Sequence, residues 1–150
     1  MSEIYELYKN VGIEEFGKTI VKSAPYFGTI DPQFKEIRPG YVEINIKNRK
    51  EIHNHMGTVH AAAMCNAAEL AGGLVTEISI PEGRRWIPSE MTVQYLSKAK
   101  TDLRIVAEGQ GIDWSVLGEI VVLADIFNLD SKKVFSASIT MNIKDAPKDS

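Results

Sequence analysis

The sequence predicts a single α+β domain in which a curved antiparallel sheet wraps around one long central helix, with an extra helical segment at the N-terminus. Three observations carry this. The stretch from Ala61 to about Thr76 is rich in alanine and free of proline. The segments on either side of it alternate apolar and polar residues with period two. The order of elements is helices, a hairpin, one long helix and then four strands, and at 150 residues the chain has room for one such core and not two.

Taken in order, Ser2 is placed to cap a helix whose apolar positions Ile4, Leu7, Tyr8 and Val11 follow helical spacing, with Gly12 at its end. Ile13, Phe16, Ile20 and Val21 continue a second helical face up to about Lys22, and Pro25 and Gly28 then break the pattern. Residues 1–29 thus form a helical cover. Between Phe34 and Lys47, Val42, Ile44 and Ile46 alternate with Glu43, Asn45 and Lys47 after a Pro39-Gly40 turn, which reads as a hairpin. The long helix starts at Ala61 and ends either near Gly72-Gly73 or at about Ile78, ahead of Pro81. Its small side chains let a sheet approach the helix axis closely. Four strands follow, centred on Met91–Tyr95, Leu103–Ala107, Ile120–Ala124 within Gly118–Leu129, and Phe135–Ile143 after a turn at Asp130–Lys133. Residues 30–145 make up the sheet-and-helix domain, and 146–150 a polar tail.

Composition narrows the function classes. A net charge of -3 with dispersed basic residues leaves no patch for gripping a nucleic-acid backbone. No apolar run approaches the roughly 20 residues that span a bilayer, so no membrane insertion is expected. The first residues carry Glu3 and Glu6 where an export signal would be basic and then apolar, and Cys65 is the only cysteine. A cytoplasmic location is the expectation.

The chemistry concentrates between Asn54 and Glu69, in Asn54-x-x-Gly57-Thr58-x-His60-Ala61 followed eight residues on by Glu69. With the order of elements over residues 30–143, this segment resembles the hotdog-fold acyl-CoA thioesterases, in the branch that includes the phenylacetyl-CoA and hydroxybenzoyl-CoA enzymes. The resemblance implies hydrolysis of acyl-CoA or acyl carrier protein thioesters, in fatty acid metabolism. By position it makes Glu69 the base or nucleophile, the Ala61 backbone N–H the oxyanion donor, Asn54 the group that orients the carbonyl or water, and His60 a residue that shapes the loop. Gly57, Thr58 and Ala62 fall in the substrate-binding loop, and Tyr95 and Lys98 at the end of the strand after the helix. No cofactor is implied beyond the coenzyme A of the substrate.

Elementary physics supports these assignments. A helix N-terminus offers unsatisfied N–H groups and a partial positive charge to an oxyanion. Among Ala67, Ala68, Leu70 and Ala71, a lone Glu69 carboxylate would be costly to bury unless it met polar partners or water. Eight residues of helix separate Ala61 from Glu69 by roughly 12 Å, too far for both to reach one carbon. Two antiparallel helices across a twofold axis remove that difficulty, so a homodimer is expected and a homotetramer is open.

Other readings stand beside these. Asn54 can be a turn residue and Glu69 a solvated acid. Arg84 and Arg85, just after the helix, and Lys98 and Lys100 can meet coenzyme A phosphates or simply solvate a loop. His53, His55 and His60 lie within eight positions, but without partners at ligand spacing they predict no metal site. Cys65, mid-helix in small apolar company, reads as structural. Trp86, Trp114 and Tyr95 read as core or interface aromatics that could line an acyl tunnel. Ala61-Ala62, where relatives commonly carry Gly-Gly, and Gly73, where some carry a polar residue, motivate an alternative function: an acyl-CoA or fatty-acyl binding protein without turnover. The His-plus-acid motifs of hotdog dehydratases are not found.

Overall fold

The computed structural model describes residues 2–148. The N-terminal helix α1, Glu3–Ser23, begins where Ser2 Oγ accepts the Tyr5 N–H at 3.1 Å. It is two helices in one, because Gly12 sits at φ 82° and ψ 170°, a conformation open essentially to glycine, and redirects the chain. Its second half buries Phe16 completely, edge-on to Tyr8 and Phe34. A short 3-10 helix, Pro25–Ile30, follows the break expected at Pro25.

The strands β1 (Gln33–Arg38) and β2 (Tyr41–Ile46) form the hairpin around Pro39-Gly40. The central helix α2 runs from Ala61 to Ser79, the longer of the two endings the sequence allowed. The remaining strands are β3 (Arg84–Tyr95), β4 (Leu103–Glu108), β5 (Gly118–Phe127) and β6 (Lys133–Asp145). All six make one antiparallel sheet in the order β1-β2-β4-β5-β6-β3.

One face of this sheet packs on α2, which touches every strand. Val42, Ile44, Ile105, Val122, Ile126, Ile139 and Met141 point inward and are essentially inaccessible, while their neighbours face water, as period-two strands require. The small residues of α2 permit the close approach: a Cβ on Gly72 would lie 2.6 Å from Ile139 Cδ1. The hairpin is tied to the end of α2 by the Gly40 N–H, which donates to Ser79 Oγ at 2.8 Å.

Two expectations are corrected. Arg84 and Arg85 are the first residues of β3 rather than a loop, so that strand starts seven residues before Met91. The alternation hid it because β3 is a sheet edge with a bulge between Pro88 and Glu90, so its pattern is neither clean nor apolar. The last turn is drawn tight by Asn128, whose Oδ1 accepts the N–H groups of Asp130 and Lys132, so β5 stops at Phe127 and not at Leu129.

Candidate active site

The loop into α2 is held by its own polar groups. Asn54 Oδ1 accepts the N–H of Met56 at 2.9 Å and of Thr58 at 3.2 Å, and Asn54 Nδ2 donates to Thr58 Oγ1 at 2.8 Å. The Asn54 N–H donates to the Thr58 carbonyl at 2.9 Å, and Gly57, at φ 75°, makes the turn between them. Thr58 is buried, so its side chain acts within the loop. The second Nδ2 hydrogen of Asn54 is not used by these contacts.

His60 is the N-cap of α2, an unusual choice, and its Nδ1 accepts the Ala62 N–H at 2.9 Å. An imidazole accepting at Nδ1 carries its proton on Nε2 when neutral, and the ring is exposed. The His60 carbonyl accepts from Ala63 at 3.0 Å and Met64 at 3.2 Å. That leaves the Ala61 N–H without an acceptor among the described residues, at the positive end of a 19-residue helix.

The chain after β3 returns to this same end, for the Val59 N–H donates to the Ala99 carbonyl at 2.9 Å. Lys98 and Lys100, both exposed, flank that contact. Tyr95 arrives with them: its hydroxyl lies 4.0 Å from Cys65 Sγ, and the thiol beside it holds the phenol above its ordinary pKa. Asn54, Gly57, Thr58, His60, Ala61, Ala62, Tyr95 and Lys98 therefore gather at one end of α2.

Glu69 does not join them. It is exposed in the single chain, not buried as its apolar sequence neighbours suggested, because Ala68 and Leu70 turn to other sides of the helix. It sits on the rim of an almost wholly apolar cavity of about 240 Å³ between α2, the N-terminal segment and Trp86. Farther down the same helix face, Glu77 Oε2 accepts the Trp86 indole N–H at 2.6 Å. Neither this pair nor the cavity is legible in the sequence beyond Glu69, Gly73 and Glu77 at intervals of four, one face of a helix.

Arg84 and Arg85 lie at the opposite end. Arg84 is committed to Asp145, 3.0 Å away, and donates to the Ser115 carbonyl at 3.1 Å, while Arg85 is exposed. Along the 12 residues of β3 they stand about 35 Å from Tyr95. One chain cannot bring them and Lys98 to the same phosphate.

The fold has close counterparts among solved structures. A structural-genomics protein is 51% identical over 96% of this chain and 97% of its own, with a TM-score of 0.87. A thioesterase from Haemophilus influenzae is 14% identical, with 91% and 92% of the two chains covered and a TM-score of 0.78. A Streptococcus mutans protein solved with acetyl CoA bound is 18% identical, with 78% and 91% covered and a TM-score of 0.67. The architecture is thus the hotdog fold of thioesterase structures, with an N-terminal helix added. No curated protein matches the chain. The family model described as Domain of unknown function (DUF4442) matches residues 12–143, nearly the whole sheet-and-helix region, and the chain belongs to that family.

Proposed function

We propose that this protein hydrolyses acyl-CoA thioesters at sites assembled from two copies of the chain. The observation that carries the reading is the unpaired Ala61 N–H at the head of α2, two turns of helix from the exposed carboxylate of Glu69. Roughly 12 Å separates the two along one helix, so the head of one α2 must meet the middle of another. In such a site the Ala61 N–H takes up the oxyanion, and Glu69 of the second copy draws a proton from water or attacks the carbonyl itself. Asn54 orients the reacting group through its free Nδ2 hydrogen.

Other features of the chain agree with this arrangement. β3 is an edge strand of 12 residues that leaves Ile87 61% and Tyr95 62% exposed, and a long unpaired edge is open to pairing with a second copy. Two β3 edges running antiparallel would set Arg85 of one copy near Lys98 of the other, making one cationic rim for coenzyme A phosphates. Val121 and Leu123, each 51% exposed on the outer sheet face, offer a surface where two dimers could meet. Acetyl CoA bound to the Streptococcus mutans counterpart and the thioesterase from Haemophilus influenzae support the same ligand class.

The test is a hydrolysis screen over acyl-CoAs of graded chain length and aromatic acyl groups, run on wild type and Glu69→Gln. The variant should lose on the order of 100-fold or more in kcat/KM, the usual scale for a general base. Equal rates would sink the assignment. The alternative of binding without turnover is favoured by the Ala61 and Ala62 methyls at the approach to the oxyanion site, and a single-turnover assay showing tight but unhydrolysed acyl-CoA would establish it.

A further inference from the structure

We propose that the cavity beneath the N-terminal helical cover is the subsite for the acyl tail, and that it takes a chain of about ten carbons presented as a neutral thioester. The proposal rests on the reading of Glu69 given above. Its walls are Ile4, Ile20 and Phe27 from the cover, Leu70 and Leu74 from α2, and Trp86 from β3. Glu69 stands on the rim, so a thioester carbon held at that carboxylate has the cavity immediately beside it.

Two features show that the space is built and not a packing remnant. A Cβ on Gly73 would lie 2.9 Å from Trp86 Cη2, so the absent side chain is what lets the indole stand as a wall against α2. The indole is fixed there by its N–H, which donates to Glu77 Oε2 at 2.6 Å. Size sets the chain length. An apolar cavity of roughly 150 Å³ holds the six carbons of benzene, so about 240 Å³ admits about ten. Charge sets the form of the ligand: the exposed carboxylate of Glu69 beside the cavity repels the anion of a free fatty acid but not a thioester. The hydrolysed product is thereby disfavoured in the site where its ester was welcome.

The test uses S-alkyl-CoA thioethers from methyl to hexadecyl, which keep the coenzyme and lack the scissile carbonyl. Their affinities for the full-length protein are measured by calorimetry. Wild type should gain roughly fourfold per methylene and level off near ten carbons. Ile20→Trp should move the plateau to shorter chains, and Phe27→Ala to longer ones, so either variant alone carries the test if the other misfolds. Methyl decanoate should bind at least tenfold more tightly than decanoate. Affinity indifferent to chain length, a plateau that neither variant moves, or preference for the free acid would each overturn the proposal. Hydrolysis is scored separately. Length-dependent thioether binding without turnover would refute the hydrolase reading and keep this subsite, whereas turnover with length-independent binding would do the reverse.

Discussion

Gly73 and Trp86 form a pair in which one residue is small because the other is large. With Trp86 Cη2 only 2.9 Å from the position a Cβ would occupy, Gly73→Ala must push the indole off α2 and strain its bond to Glu77. Overpacking of this kind costs about 1–3 kcal/mol, which a shift of the urea midpoint would register. A midpoint equal to wild type would mean that the indole yields freely. The sequence shows Gly73 only as a departure from some relatives; its reason lies 13 positions away in Trp86 and is invisible without the fold. A second pair is electrostatic. Burial first, and then the hydrogen bond its hydroxyl donates to Glu43 Oε1 at 2.8 Å, push the Tyr41 phenol from 10.0 to about 12. The folded state keeps this proton where the unfolded chain loses it. Stability from this group is therefore intact below pH about 10 and falls as pH rises through about 12. Tyr41→Phe should show a shallower loss of stability than wild type in that window, measured as paired urea midpoints, and parallel curves would contradict the assignment.

At the scale of elements, Gly12 decides the path of the N-terminal cover. Its φ of 82° and ψ of 170° let one helix follow another at an angle, so Tyr8 and Phe16 meet edge-on. Gly12→Ala should cost about 1–3 kcal/mol by forcing a side chain into that region; an unchanged thermal midpoint would show that the two helices can fuse without loss. The break was legible in the sequence, since the apolar face stops at Val11 and restarts at Ile13. So were the hairpin and the centres of β4, β5 and β6, where burial follows the alternation, and α2, whose run of small residues without proline marks a helix buried on nearly every side. The first half of β3 was not, because an edge strand pairs on one side only and its side chains need not alternate; Ile87, Pro88, Ser89 and Glu90 are all exposed. Of the site, the loop from Asn54 to Ala61 could be located by motif and spacing. The separation of Glu69 from it follows from helix geometry alone. The cavity could not be found, because its walls come from α1, the 3-10 helix after it, α2 and β3, and no local pattern encodes their meeting.

At the scale of the whole molecule, function and assembly become one question, because a site divided between copies can be tested by dividing the damage. Ala61 is the first residue of α2, and His60 before it has φ -65° and ψ 141°, a conformation that tolerates a following proline. Ala61→Pro therefore removes the Ala61 N–H, which has no acceptor among the described residues, and should leave the helix standing. Glu69→Gln removes the carboxylate and keeps its shape. Each variant alone should be inactive. In a dimer of one Ala61→Pro chain and one Glu69→Gln chain, both lesions fall in the same site, and the other site retains an intact Ala61 and an intact Glu69. Random reassociation makes about half of the dimers hybrid, each with one good site of two, so an equal mixture should recover about a quarter of wild-type activity. Recovery must require subunit exchange and should appear only after dissociation and reassembly, with sedimentation showing particles of at least twice 16.7 kDa. A mixture that stays inactive while hybrid dimers form would show that the two groups do not complete one site across the subunits, and a protein that sediments as a single chain would remove the geometry on which the shared site depends.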